Sequence, residues 1–114
     1  MFTQHPLLII SPLEIAPTIN IHMRFGCANG YVAVPQDHPW YGAGYGDLPV
    51  EVHGGLTFAD HATLFGVPYW MLGFDTWHMD DTPERWPIKQ VFGETMRLWK
   101  EVKEYGEKAK VLSP

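Results

Sequence analysis

The spacing of hydrophobic and polar residues changes character along this chain, from a period of two to a period near 3.6. Thr18-Ile19-Asn20-Ile21-His22-Met23 alternates, with Ile19, Ile21 and Met23 on one side, as a half-buried strand does. The stretch Phe25–Gly30 reads as a turn, with Asn29-Gly30 its strongest signal. Tyr31-Val32-Ala33-Val34 then predicts a strand stopped by Pro35. Val50–His53 predicts a further short strand, which Gly54-Gly55 bends and Leu56-Thr57-Phe58 continues beyond a bulge. Ala59–Pro68 reads as a connection, and Tyr69–Phe74 as an apolar strand buried on both faces.

The last third of the chain takes up the helical period. Ile88, Val91, Phe92, Thr95, Leu98, Trp99, Val102 and Tyr105 recur at spacings of three and four, which predicts one long amphipathic helix. Asp80, Asp81 and Thr82 offer N-caps, Pro83 suits a first turn, and Pro87 places the start of the long helix beside it. Trp99 on that helix reads as core packing. The elements predict an α+β fold: a small antiparallel sheet of three to five strands packed against one long C-terminal helix. They form a single domain, 1–114. Residues 1–14, broken by Pro6 and Pro12, make an extended arm or edge strand; 15–79 hold the sheet, with a long loop at 36–49; 83–110 are helical.

Charge narrows the function classes. Residues 1–83 carry one strong base, Arg24, against Glu14, Asp37, Asp47, Glu51, Asp60, Asp75, Asp80 and Asp81, and the net charge is −5. Nucleic-acid binding needs a basic face for counterion release, so no nucleic-acid partner is expected. No apolar run approaches membrane-spanning length, and the Leu7–Ile10 run lacks the basic flank of a signal peptide. Cys27 is the only cysteine, which excludes an intrachain disulfide and fits a reducing compartment. A cytoplasmic protein without a membrane partner is expected, with an aromatic content of 14% that leaves room for a homodimer.

Six histidines all fall in the acidic part. His53, Asp75 and His78 make the sharpest constellation, because two strand-like segments deliver them beside glycine or carboxylate. Two His and one carboxylate suit a divalent transition metal with open positions, or a carboxylate-oriented histidine acting as general base. The same three also suit a polar ligand site, or a hydrogen-bonded set that only braces the Gly54-Gly55 bend. His38, Trp40 and Tyr41 in the long loop, with Trp70, would supply stacking or apolar walls, or form a plug over one sheet end. Thr57 would donate a hydroxyl, and Arg24 is the one basic side chain near the strands for an anion. Gly42, Gly44 and Gly46 follow no strand and open no helix, so they are not a dinucleotide fingerprint. Cys27 reads as a quiet half-buried thiol rather than a nucleophile.

Four blocks in order carry a resemblance: Gly30-Tyr31-Val32-Ala33-Val34-Pro35, His38-Pro39-Trp40-Tyr41-Gly42, Val50–Phe58, and Trp70 with Gly73-Phe74-Asp75 and His78. Together with the closing helix, over roughly residues 27–105, they resemble a family of small bacteriophage and bacterial proteins with no settled activity. Its blocks are G-Y-V-x-V-P, H-P-x-Y-G, V-x-V-H-G-G-L-T and W-x-x-G-F-D-x-x-H. Members often carry Cys after Gly-Phe-Asp where this chain has Thr76, so no thiol role transfers there. The resemblance implies the fold and a phage-associated setting in a bacterial host cell, not a mechanism. The leading expectation is thus an accessory protein, suited to countering host defence, without a cofactor. It would bind a small polar or nucleotide-like ligand, or a host protein. The alternative is a small metal-dependent hydrolase using His53, Asp75 and His78 around a divalent transition metal.

Overall fold

The computed structural model describes residues 5–13, 26–78 and 80–112. Four strands, β1 (Leu7–Pro12), β2 (Ala28–Val34), β3 (Phe58–Leu64) and β4 (Val67–Phe74), precede one helix, α1 (Ile88–Leu112). The strands form one antiparallel sheet in the order β1-β2-β4-β3, and α1 packs on the β1–β2 side. This is the α+β architecture that the two periodicities predict. Among the described residues no helix is long and apolar enough to cross a membrane.

Alternation explains the core. Gly30, Val32 and Val34 pair with Phe74, Leu72 and Trp70, which places all six on one sheet face. Val32, Val34, Leu72 and Phe74 there, with Val91, Leu98 and Val102 from α1, are essentially inaccessible. Of the predicted helix stripe, Val91, Thr95, Leu98 and Val102 are buried, whereas Ile88, Phe92 and Tyr105 stay 43–50% exposed. Trp99 is half-buried and donates its indole N–H to the Pro6 carbonyl at 2.7 Å, so it ties the N-terminal arm to the helix. The arm itself contributes the edge strand β1.

Four local readings change. Asn29-Gly30 is not a turn but lies inside β2, paired with Ser11 and Ile10 of β1. Gly30 is needed there because a side chain would collide with Thr95 and Phe74 where the helix meets the sheet. Residues 59–68 are not a connection; they hold β3, a two-residue turn and the start of β4. Phe65 and Gly66 make that turn with φ of 53° and 76°, the paired positive values that match strand twist in a tight hairpin. A phenylalanine in a left-handed conformation is costly, which is why the sequence hid this hairpin. Its ring is left 96% exposed.

The third change moves the site. Val50–His53 is no strand: Val52 is buried in the core, but His53-Gly54 is a turn, closed by the Gly55 N–H to Val52 carbonyl bond at 2.8 Å. β4 is the fourth. Only part of it is buried: Met71, paired with Ala33, lies on the sheet face away from α1, and Trp70 is half-exposed because α1 packs chiefly on β1 and β2. The loop 36–49 covers that end instead, and the Trp70 indole donates to Ala43 O at 2.9 Å. The predicted strand within 15–24, with Ile19, Ile21 and His22, lies outside the described residues.

Candidate functional site

Past the end of β4 the chain doubles back. Thr76, fully buried, donates its hydroxyl to Ala28 O at 2.8 Å, and its carbonyl accepts from Gly26 N–H at 2.7 Å. Cys27 N–H donates to Trp86 O at 2.9 Å, so the residues leading into β2 hold both sides of the returning segment. Between these anchors the Asp81 N–H donates to His78 O at 2.9 Å and closes a tight turn. Asp80 in that turn has φ of 74°, a conformation aspartate tolerates better than most residues.

This turn drives the Asp81 side chain inward. Asp81 is 2% exposed, and its carboxylate accepts three hydrogen bonds. The His78 backbone N–H donates at 2.9 Å and the His78 Nδ1 at 3.0 Å, both to Oδ2. His53 Nε2, arriving from the other turn, donates to Oδ1 at 2.7 Å. The two imidazoles meet edge to face at 4.9 Å between centroids, and His53 stacks on Trp86 at 3.9 Å. His78 Nε2 also stands 3.5 Å from Asp75 Oδ1, while Asp75 accepts the Trp77 N–H at 3.1 Å.

The electrostatics follow from that bonding. Burial alone would raise the Asp81 carboxyl, but the bonds from His53 and from the backbone and ring of His78, with the His53 charge, outweigh it. They hold the group below its ordinary value. A carboxylate that stays ionised can keep both imidazoles oriented. Chemically, the set can ligate a cation, orient a histidine as a base, or bind a polar group.

His53 and His78 therefore come together, with Asp75 at the margin. The carboxylate that joins them is Asp81, which the sequence offered only as a helix cap. Thr82 caps no helix either: its Oγ1 accepts the Arg85 N–H at 3.1 Å in a separate turn that precedes α1. The signal for Asp81 was its spacing of three from His78, within reach of both the His78 N–H and its ring if the chain turned there.

The remaining candidates gather elsewhere. His38 donates from Nε2 to Val102 O at 2.6 Å and accepts the Trp40 N–H on Nδ1 at 2.9 Å. Trp40 stacks on Tyr105 at 4.6 Å, so His38 and Trp40 fasten the long loop to α1. Tyr41 and Trp70 flank His61, at 5.9 and 4.8 Å between centroids, where the loop covers the β3–β4 end. Thr57 has an exposed side chain and contributes its N–H to Gly73 O at 2.9 Å. Arg24 lies outside the described residues. Cys27 is half-buried, with Sγ 3.8 Å from Pro83 O. Comparison with protein-family models, with curated proteins and with solved structures returns no match.

Proposed function

We propose that this protein is a small accessory binding protein whose recognition site is the His53–His78–Asp81 cluster. The observation that carries the reading is that one nearly buried carboxylate orients two imidazoles from separate turns, while both rings remain partly open to solvent. Such a carboxylate restricts the rings without consuming both nitrogens of either. The partner is a small polar or nucleotide-like ligand, or a polar side chain of a host protein. The four sequence blocks that resemble bacteriophage proteins support a setting in the bacterial cytoplasm, where countering host defence suits such a protein. Trp77, half-exposed beside His78, and Trp86 beneath His53 are the aromatic surfaces at hand for a planar group. Calorimetric titration with adenosine monophosphate and with inorganic phosphate, on the wild type and on His53→Ala, tests the reading. Saturable binding that His53→Ala removes supports it, and binding indifferent to that change contradicts it.

The second reading is a metal-dependent hydrolase, and one observation favours it. Asp75 lies outside the Asp81 cluster but within 3.5 Å of His78, where a carboxylate can orient a nucleophilic water. Hydrolysis of a phosphodiester probe that stops in Asp75→Asn and in His53→Ala would support this reading over simple binding.

A further inference from the structure

We propose that His53 Nε2, His78 Nδ1 and the Asp81 carboxylate form a site for one divalent transition-metal cation of the zinc class, with Asp75 as the carboxylate that positions His78. The inference rests on the reading of this cluster as a ligand site and names the ligand.

One ligand atom from each of the three residues lies within 4.8 Å of the others. Zinc bonds to nitrogen and oxygen at about 2.0–2.2 Å, so tetrahedral neighbours stand about 3.3–3.5 Å apart. The His53–Asp81 and His78–Asp81 separations of 2.7 and 3.0 Å are hydrogen-bond distances. A cation replaces the shared protons when each of these opens by less than about 1 Å, a side-chain adjustment rather than a backbone one. Two imidazoles and one carboxylate are a donor set that zinc, cobalt and nickel accept readily.

The tautomers then fall into place. With Nδ1 of His78 on the metal, its proton sits on Nε2, the nitrogen that faces Asp75 Oδ1 at 3.5 Å. That is the carboxylate–histidine–metal arrangement by which an outer group fixes a ligand's tautomer and raises its basicity. Asp75 is thus a positioning residue and not a ligand, which differs from the set His53, Asp75 and His78 that the sequence suggests. The side chains of His53 and His78 are 22% and 31% exposed, so the fourth coordination position faces solvent. Trp86 stacked on His53 and Gly54 beneath His78 hold the two rings in place.

The test uses the full chain, stripped with a chelator and dialysed. Zinc chloride is titrated calorimetrically, and cobalt(II) is followed by its visible ligand-field bands. One equivalent is expected to bind, with affinity lost by roughly a hundredfold or more in His53→Ala and His78→Ala. Asp75→Asn, on the partly exposed side, is expected to weaken binding roughly ten- to a hundredfold with an unchanged circular dichroism spectrum and melting temperature. His61→Ala is expected to bind like the wild type. No saturable zinc or cobalt binding by the wild type overturns the inference, and so does wild-type affinity in Asp75→Asn. That second variant decides the matter even where His53→Ala does not fold. Nucleotide binding that needs His53 in a protein that ignores zinc would overturn the cation while leaving the binding site standing. Failure of both titrations removes both.

Discussion

Gly54 and His78 share one space: a Cβ built on Gly54 overlaps Nε2 and Cε1 of the His78 ring and lies 2.8 Å from its Cδ2. The glycine also has φ of 69°, so both its backbone and its missing side chain are needed where the two turns meet. This contact couples the His53 turn to the His78 turn.

Gly54→Ala is expected to lower stability by about 2–4 kcal/mol, combining left-handed strain with displacement of the His78 ring. Gly55→Ala supplies the comparison. Gly55 has φ of 82° but open space where a Cβ would point, so strain alone acts there, about 1 kcal/mol. Thermal melts of the two variants should differ, and the His78 ring signals should move only in Gly54→Ala.

Gly106 reverses the usual helix rule. Alanine in place of glycine inside an exposed helix gains about 1 kcal/mol. A Cβ at 106 would stand 2.7 Å from Cδ2 of His38, whose ring pins the long loop to Val102. Gly106→Ala is therefore expected to destabilise by about 1–3 kcal/mol. A denaturant midpoint equal to or above the wild type would refute this packing.

Asp81 makes acid stability specific. Its folded carboxyl sits below the ordinary value, so its contribution is full above that value and disappears as the pH falls through the folded one. Asp81→Asn is expected to cost about 1–3 kcal/mol at neutral pH. Below about pH 4 the wild type should lose stability more steeply than the variant, so that the two melting curves converge.

Glu101 behaves in the opposite sense. Desolvation is the main influence on it and raises it, helped by Glu51, Glu94 and Glu104 and opposed by Arg97, and its Oε2 has no hydrogen-bond partner among the described residues. A raised folded value means that stability is highest below the ordinary carboxyl range and falls as the pH rises through the folded value. Glu101→Gln should stabilise the protein at neutral pH by up to about 1 kcal/mol, with no gain near pH 3.

The long-range order of the fold was legible because it depends on periodicity. Alternation at Tyr31–Val34 and the stripe through Val91, Leu98 and Val102 mark the sheet face and the helix face that the core joins. The hairpin at Phe65-Gly66 was not legible, since a phenylalanine gave no turn signal. The pairing of His53 with His78 could be anticipated from two polar groups set beside glycine and carboxylate. The role of Asp81 could not, because an aspartate ahead of a helix has an ordinary use as a cap. Only the turn at Asp80 sends it inward, and only the anchoring of that segment to the start of β2 fixes the turn. His38 and Trp40 were separated from the cluster by packing on α1, a contact with Tyr105 that no local pattern announces.

The central claim is that one carboxylate organises two histidines from separate turns. Nitrogen-15 spectra of the histidine side chains, compared between the wild type and Asp81→Asn at neutral pH, test it most directly. The account predicts that the ring signals of His53 and His78 shift together while those of His38 stay in place. Movement of only one of the pair, or of neither, in a variant that keeps its fold would contradict it.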